Sequence, residues 1–337
     1  MLSLLWLLTL LIFSTGIVWK ASELLETSSE KLAVYYELPA IVQGAIIAAI
    51  GSSFPELSST VISALVHGNF ELGVGIIVGS AVFNILVIPG LSGIFSKDLF
   101  KANRGLVYKE AQFYMLATAT LILTFAFAVI YHPVSEVDFL AGIVDRKLAL
   151  IPLGLYLLYI FIQRLDTMEY EPETSKVEVN PRKQWGLLGL SLLLIVLSVE
   201  GLVRSAIGLG EYFNIPPFLW GVTIIAAGTS LADAFVSIKL ARKGRAITSL
   251  ANVLGSNTFD LLVALPAGVI IAGSAIVDFS QAAPLMGFLV LATLVLFVFT
   301  RTNLELKDWE SYSLLALYLV FVVWMALESV GLTSLVI

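Results

Sequence analysis

The chain has 337 residues, of which 58% are hydrophobic and only 13% charged, against about a quarter charged in an ordinary soluble domain. Polar surface is too scarce to cover a water-exposed globule, and the apolar residues fall in long blocks rather than at period 2, so soluble folds and outer-membrane barrels are both excluded. The absence of cysteine, the presence of only His67 and His132, and a net charge of -6 exclude disulfides, zinc-thiolate sites, a cysteine nucleophile, histidine-rich metal centres and a nucleic-acid partner.

A bilayer crossing takes about 20 apolar residues. Ten such blocks follow in chain order: 2–19, 38–66, 70–96, 110–131, 147–163, 185–209, 216–240, 246–274, 281–300 and 312–335. The first has no Lys or Arg before Lys20 and reads as a retained helix rather than a secretory signal. Basic residues gather in cytoplasmic loops. Sixteen of the nineteen Lys and Arg lie in odd-numbered loops, the exceptions being Arg146, Lys147 and Arg204. The expected protein is an integral, multi-pass component of the plasma (inner) membrane with both termini outside. Its longest loop, 164–184, carries the polar run Glu169 to Glu173 and reads as a solvated cytoplasmic linker.

Displacing the sequence by 177 places aligns Pro39 with Pro216, Gly44 with Gly221, Ala49 with Ala226, Gly51 with Gly228, Ser53 with Ser230 and Glu56 with Asp233. At 176 places, Gly79, Ser80, Phe83 and Asn84 align with Gly255, Ser256, Phe259 and Asp260. Registered Gly, Ser, Pro and acid are not expected by chance in so apolar a chain. The repeat unit holds five spans, an odd number, so the second copy is inverted in the bilayer. The expectation is an all-α membrane protein of ten transmembrane helices, with a first repeat at 1–163, the linker at 164–184 and a second repeat at 185–337. Inverted repeats characterise secondary transporters, whose sites lie near the midplane.

Glu56, Asp233 and Asp260 fall well inside spans, where a charge costs about 2.5–3.5 kcal/mol. No Lys or Arg occurs in the second, third or eighth span, so a bound cation or a proton is the natural counterion. Glu200 differs, because Arg204 stands one turn on and predicts an ordinary helix pair. In the second span Gly51 and Pro55 both weaken the helix, and the break they predict would free carbonyls from Ala49 to Ser52 to line a site. Ala49, Ser52, Ser53 and Glu56 share one helical face. The segment from Ala226 to Asp233 repeats the arrangement with Ala232 in place of proline, so a break there is expected from Gly228 alone. Ser80 with Asn84, and Ser256 with Asp260, again share a face. Every donor is oxygen, which suits hard cations: two carboxylates neutralise one calcium, and Asp260 adds a third acid for a monovalent cation or a proton.

These motifs resemble those of the calcium/cation antiporter superfamily and its sodium/calcium exchanger family. Gly51-Ser52-Ser53-Phe54-Pro55-Glu56 is similar to the first-repeat signature, Gly228 to Asp233 to its counterpart, and Gly79 to Asn84 and Gly255 to Asp260 to the elements that follow. The run Val78 to Leu86 resembles the potassium-dependent branch and its prokaryotic relatives. The resemblance implies that Glu56 and Asp233 bind calcium, helped by carbonyls near Ser52 and Thr229. It implies sodium sites lined by Ser53, Ser80, Asn84, Ser230, Ser256 and Asp260, with carbonyls at Ala49 and Ala226. Asp233, Ala232 and Ile76 depart from the family pattern, Ile76 standing opposite Asn252 of the second repeat.

The leading expectation is a secondary antiporter exchanging calcium for sodium in a lipid bilayer, without cofactor or protein partner. A proton/calcium antiporter is the alternative, and a channel would need flux without a counter-ion. An intramembrane aspartyl protease would pair Asp233 with Asp260, but its Tyr-Asp and Gly-x-Gly-Asp contexts are absent; a serine version needs a histidine base, and His67 and His132 lie at span ends.

Overall fold

The computed structural model describes residues 4–36, 49–96, 100–134, 140–167 and 179–336. The apolar blocks form helices: α1 (Leu4–Tyr35), α2 (Ala49–Leu65), α3 (Phe70–Phe95), α4 (Ala111–Tyr131), α5 (Arg146–Thr167), α6 (Pro181–Phe213), α7 (Pro217–Trp220), α8 (Ala226–Thr229), α9 (Leu231–Arg242), α10 (Ala246–Phe259), α11 (Leu265–Ala272), α12 (Phe279–Arg301) and α13 (Asp308–Ser329). Among the described residues, eight helices are long and apolar enough to cross a membrane, counting α10 with α11 as one. The pair formed by residues Pro217–Thr229 and Leu231–Arg242, bent by 43°, makes a ninth. The tenth expected span is represented by the 17 residues of α2, and residues 37–48 of that block lie outside the described residues.

Two helices are much longer than their apolar blocks. Helix α1 runs past Lys20 to Tyr35, and α6 begins at Pro181. In α1 the continuation is amphipathic: Val18, Ala21, Ser22, Leu25, Ser28, Ser29, Leu32 and Ala33 are buried on one helical face, which holds the helix beyond the hydropathy minimum. The two are repeat equivalents, since displacing Leu4–Tyr35 by 177 places gives residues 181–212. They pack closely on each other; a Cβ on Gly201 would stand 2.3 Å from Ser14 Oγ. The expected linker shrinks accordingly, and its acidic run 169–173 lies outside the described residues.

Helix α3 is apolar all round and buried along nearly its whole length, as such a helix must be. Gly79 makes its central contact possible: a Cβ there would lie 2.1 Å from the Val222 carbonyl oxygen.

Two short antiparallel strand pairs, absent from the sequence expectation, join loops across the repeats. Strand β1 (Phe100–Lys101) pairs with β4 (Glu305–Leu306), and β2 (Ala141–Asp145) with β3 (Ser274–Asp278). The first pair links the third and ninth loops; the second links the fourth and eighth, their repeat equivalents. Hydrogen-bonded loops lie on one face of the molecule, so the third and ninth loops share a face and the fourth and eighth share a face, as inverted repeats require.

The expected break at Pro55 is not where the structure bends. Helix α2 continues through Pro55, at the cost of the one intrahelical hydrogen bond that the proline nitrogen cannot donate. The second repeat breaks instead at Ser230, which ends α8 with φ -77° and ψ -3° and bonds its N–H back to the Ala226 carbonyl.

Candidate cation site

Four helical segments converge at the centre of the molecule, α2 and α3 from the first repeat and α8–α9 and α10 from the second. They bring together nearly all the residues singled out from sequence. Ser52, Ser53, Glu56, Ser80, Asn84, Thr229, Ser230, Asp233, Ser256 and Asp260 are all buried, none more than 6% exposed, and Ala226 is buried beside them. Ala49 opens α2, and its side chain is not among those described. Among the described residues none of the three acids takes part in an ion pair.

Each central carboxylate sits at the end of a hydroxyl relay that crosses between repeats. Ser80 Oγ lies 2.6 Å from Ser230 Oγ and 3.5 Å from Glu56 Oε1. Ser256 Oγ lies 2.8 Å from Ser52 Oγ and 3.4 Å from Asp233 Oδ1. Carboxylates only accept, so in each relay the inner serine donates to the acid and the outer serine donates to the inner one. Ser80 and Ser256 are repeat equivalents, so the internal symmetry survives in the inner bond of each relay, while the outer serines Ser230 and Ser52 differ by one place. Ser53 donates instead to the Ser256 carbonyl at 3.5 Å, and Thr229 Oγ1 donates to the Ala226 carbonyl at 3.1 Å.

The symmetry fails one turn further along. Asn84 Nδ2 donates to Asp233 Oδ2 at 3.3 Å. The equivalent position holds Asp260, an acceptor rather than a donor. Glu56 Oε2 and both carboxylate oxygens of Asp260 are buried without a hydrogen-bond partner. A desolvated carboxylate oxygen without a donor costs several kcal/mol, roughly, unless a cation or proton meets it. Asp260 also opens a π-helical turn, Asp260–Ala264, and a second one, Gly221–Ile225, leads into Ala226. Such turns take backbone groups out of the regular helical ladder and recur at functional sites. Among the described residues the three acids do not close into a single three-acid metal cluster. The geometry suits a cation shared by two carboxylates with hydroxyl, amide and carbonyl oxygens, and a second charge held at Asp260.

Sequence reasoning missed two residues. Asn257 accepts from Asn84 Nδ2 at 3.0 Å and donates to the Ala81 carbonyl at 3.2 Å and to the Tyr114 hydroxyl at 3.3 Å, bracing Asn84 against Asp233. It lies inside the repeated motif, but its equivalent is Ala81, so repeat matching passes over it. Tyr114 lies on α4, outside every repeated motif, and nothing in the sequence marks it. Asn252 donates to Ser237 Oγ at 3.3 Å. Glu200 is held by Arg204 as expected, and also by His67 at 3.0 Å.

The sequence profile of the family described as "Sodium/calcium exchanger protein" matches residues 6–165 and 183–327. Sodium/calcium exchanger MaX1 of Methanosarcina acetivorans is 25% identical over 353 residues, spanning 93% of this chain and 97% of its own. The fold is similar to that of the H+/Ca2+ exchanger CAX, with a TM-score of 0.74 and 18% identity over 93% of this chain and 81% of that one. It is similar also to the sodium-calcium exchanger NCX_Mj soaked with 2.5 mM Na+ and 1 mM Sr2+, with a TM-score of 0.64 and 23% identity over 95% of this chain and 99% of that one. Profile, fold and inverted repeats agree that the chain belongs to the sodium/calcium exchanger protein family, and so is a multi-pass membrane cation/calcium antiporter rather than an enzyme.

Proposed function

We propose that the chain exchanges calcium for sodium by alternating access, with calcium held between Glu56 and Asp233. The observation that carries this reading is the meeting of two buried carboxylates from opposite repeats, without an ion pair among the described residues and lined by serine hydroxyls and the Asn84 amide. Two carboxylates neutralise one calcium, and its six to eight oxygen ligands can be completed by carbonyls near Ser52 and Thr229. Ser53, Ser80, Asn84, Ser230, Ser256 and Asp260, with the carbonyls of Ala49 and Ala226, supply the smaller oxygen sets that sodium takes. Ligands shared between the two sets make the ions compete. A site that crosses only when loaded then lets one ion's gradient drive the other.

The two halves, 1–163 and 185–337, are joined by 164–184, with the basic odd-loop face in the cytoplasm and both termini outside. The name of the relative MaX1 supports sodium as the counter-ion. The unbonded oxygens of Asp260 support a second reading, in which a proton takes that place and the exchange is proton for calcium. In proteoliposomes, an outward sodium gradient is expected to drive calcium uptake, and Glu56→Gln or Asp233→Asn to abolish it. Uptake driven equally well by a pH gradient without sodium transfers the reading to the proton; uptake under neither gradient refutes both.

A further inference from the structure

The same joint is bridged by a hydrogen bond in one half of the molecule and holds a cavity in the other. On the basic face a cavity of about 620 Å³ lies between α1 and α9, which meet there where Trp19 stacks on Phe235 with ring centroids 4.4 Å apart, and it reaches down to Ala232, the neighbour of Asp233. Its α1 wall carries Glu23, Glu26 and Glu30, with Lys20 beside Glu23 at 2.9 Å; its α9 wall carries Lys239, Arg242 and Lys243. Arg242 rests on the Phe95 ring, 4.8 Å from its centre. Among the described residues no hydrogen bond or ion pair spans the two walls.

On the opposite face the equivalent elements are in contact. His67, just beyond α2, lies with Nε2 3.0 Å from Glu200 Oε2 on α6, and Arg204 holds the other oxygen. A carboxylate only accepts, so Nε2 carries the hydrogen. Both side chains are largely enclosed, His67 at 18% and Glu200 at 24% exposed. Under the 177-place repeat α1 corresponds to α6, α2 to α8–α9, and Glu23 to Glu200. The shut joint and the open cavity are therefore two copies of one construction.

We propose that these are the two gates of the exchanger and that each is latched in turn, one by the His67–Glu200 hydrogen bond and the other by charge pairing across the cavity. His67 and Glu200 are positioning residues that hold the face of the even loops closed while the basic face is open. When the first latch parts, the acidic row of α1 meets the basic row of α9 and closes the other side. A contact made in only one conformation shifts the balance towards it, so each latch sets the population of one state.

The inference rests on the alternating-access reading above but not on which ions move. The chain contains no cysteine, so a single Thr27→Cys in the cavity wall reports its opening by reaction with a membrane-impermeant maleimide. With the full chain in liposomes free of sodium and calcium, His67→Ala or Glu200→Ala is expected to slow that labelling at least threefold. Lys239→Glu, which sets like charges across the cavity, is expected to keep labelling fast and cut exchange at least tenfold. Adding Glu26→Lys to it is expected to restore at least half of the exchange. Unchanged labelling in both latch variants, or a charge-swapped pair no better than Lys239→Glu alone, overturns the proposal. Should Glu200→Ala fail to fold, the swap on the cavity walls decides by itself. Loss of calcium flux with the labelling shifts intact counts against the ion assignment and leaves the latches standing.

Discussion

Asn84 and Asp260 occupy equivalent places in the two repeats, and only Asn84 brings a hydrogen to the acid it faces. Its amide bonds Asp233 at 3.3 Å, while Asp260 is buried with both oxygens unbonded. One acid of the central pair is thus braced by the protein. The other accepts from Ser80 through one oxygen, and its second oxygen, like both of Asp260, is left for a cation or a proton.

Asp260→Asn tests this asymmetry through stability. Removing a buried, unbonded carboxylate is expected to raise the Tm of the purified protein in sodium-free buffer, by about 2–4 °C for each kcal/mol relieved. The same change is expected to remove most of the stabilisation that added sodium gives the unaltered chain. A Tm that falls in sodium-free buffer, with the sodium response intact, would show that Asp260 is satisfied by the protein itself.

The two signature glycines should respond differently to the same substitution. A Cβ on Gly79 meets the Val222 carbonyl oxygen at 2.1 Å and the Ala226 Cβ at 2.8 Å, whereas one on Gly255 meets nothing within 4 Å. Gly79→Ala is expected to cost about 3 kcal/mol or more, because backbone on the facing helix has to move. Gly255→Ala is expected to be neutral or to gain about 0.5–1 kcal/mol of helix stability. Thermal unfolding of the two variants in detergent compares them directly, and equal losses would refute the packing difference.

Ala232 stands where the first repeat has Pro55, and it is the second residue of α9. Proline is accepted in the first turn of a helix but costs about 3 kcal/mol in its interior. Ala232→Pro is therefore expected to keep exchange and to lower stability by no more than about 1 kcal/mol. Ser237→Pro, mid-helix, is expected to cost about 3 kcal/mol. If the two variants lose the same amount in a thermal scan, α9 does not begin at Leu231.

Much of the site was legible because its residues are chemically out of place. Glu56, Asp233 and Asp260 are acids among apolar neighbours, and the registered Gly, Ser and Asn or Asp around them mark two copies of one construction. Helix ends were less legible. The span at 2–19 became a helix to Tyr35 because a buried stripe at helical spacing, Ser22, Leu25, Ser29 and Leu32, continues alongside Glu23, Glu26 and Glu30, where mean hydropathy falls but periodicity does not. Asn257 and Tyr114 escaped because one lacks a polar equivalent and the other lies outside the repeat. The break expected at Gly228 in the second copy falls two residues on, at Ser230, whereas the break expected in the first copy is absent because α2 runs on through Pro55.

The sequence by itself determined the solvent, through composition; the inverted plan, through an odd number of spans per repeat; and the acids that need a cation, through their placement away from any base. The tertiary structure decided what two similar sequences cannot: which copy bends, which signature glycine is indispensable, and which joint is open while its equivalent is held by His67 and Glu200. The physical reason is that a repeat specifies nearly the same local interactions twice. A carrier open to one face needs its two copies in different conformations, and that difference lies in how the helices pack.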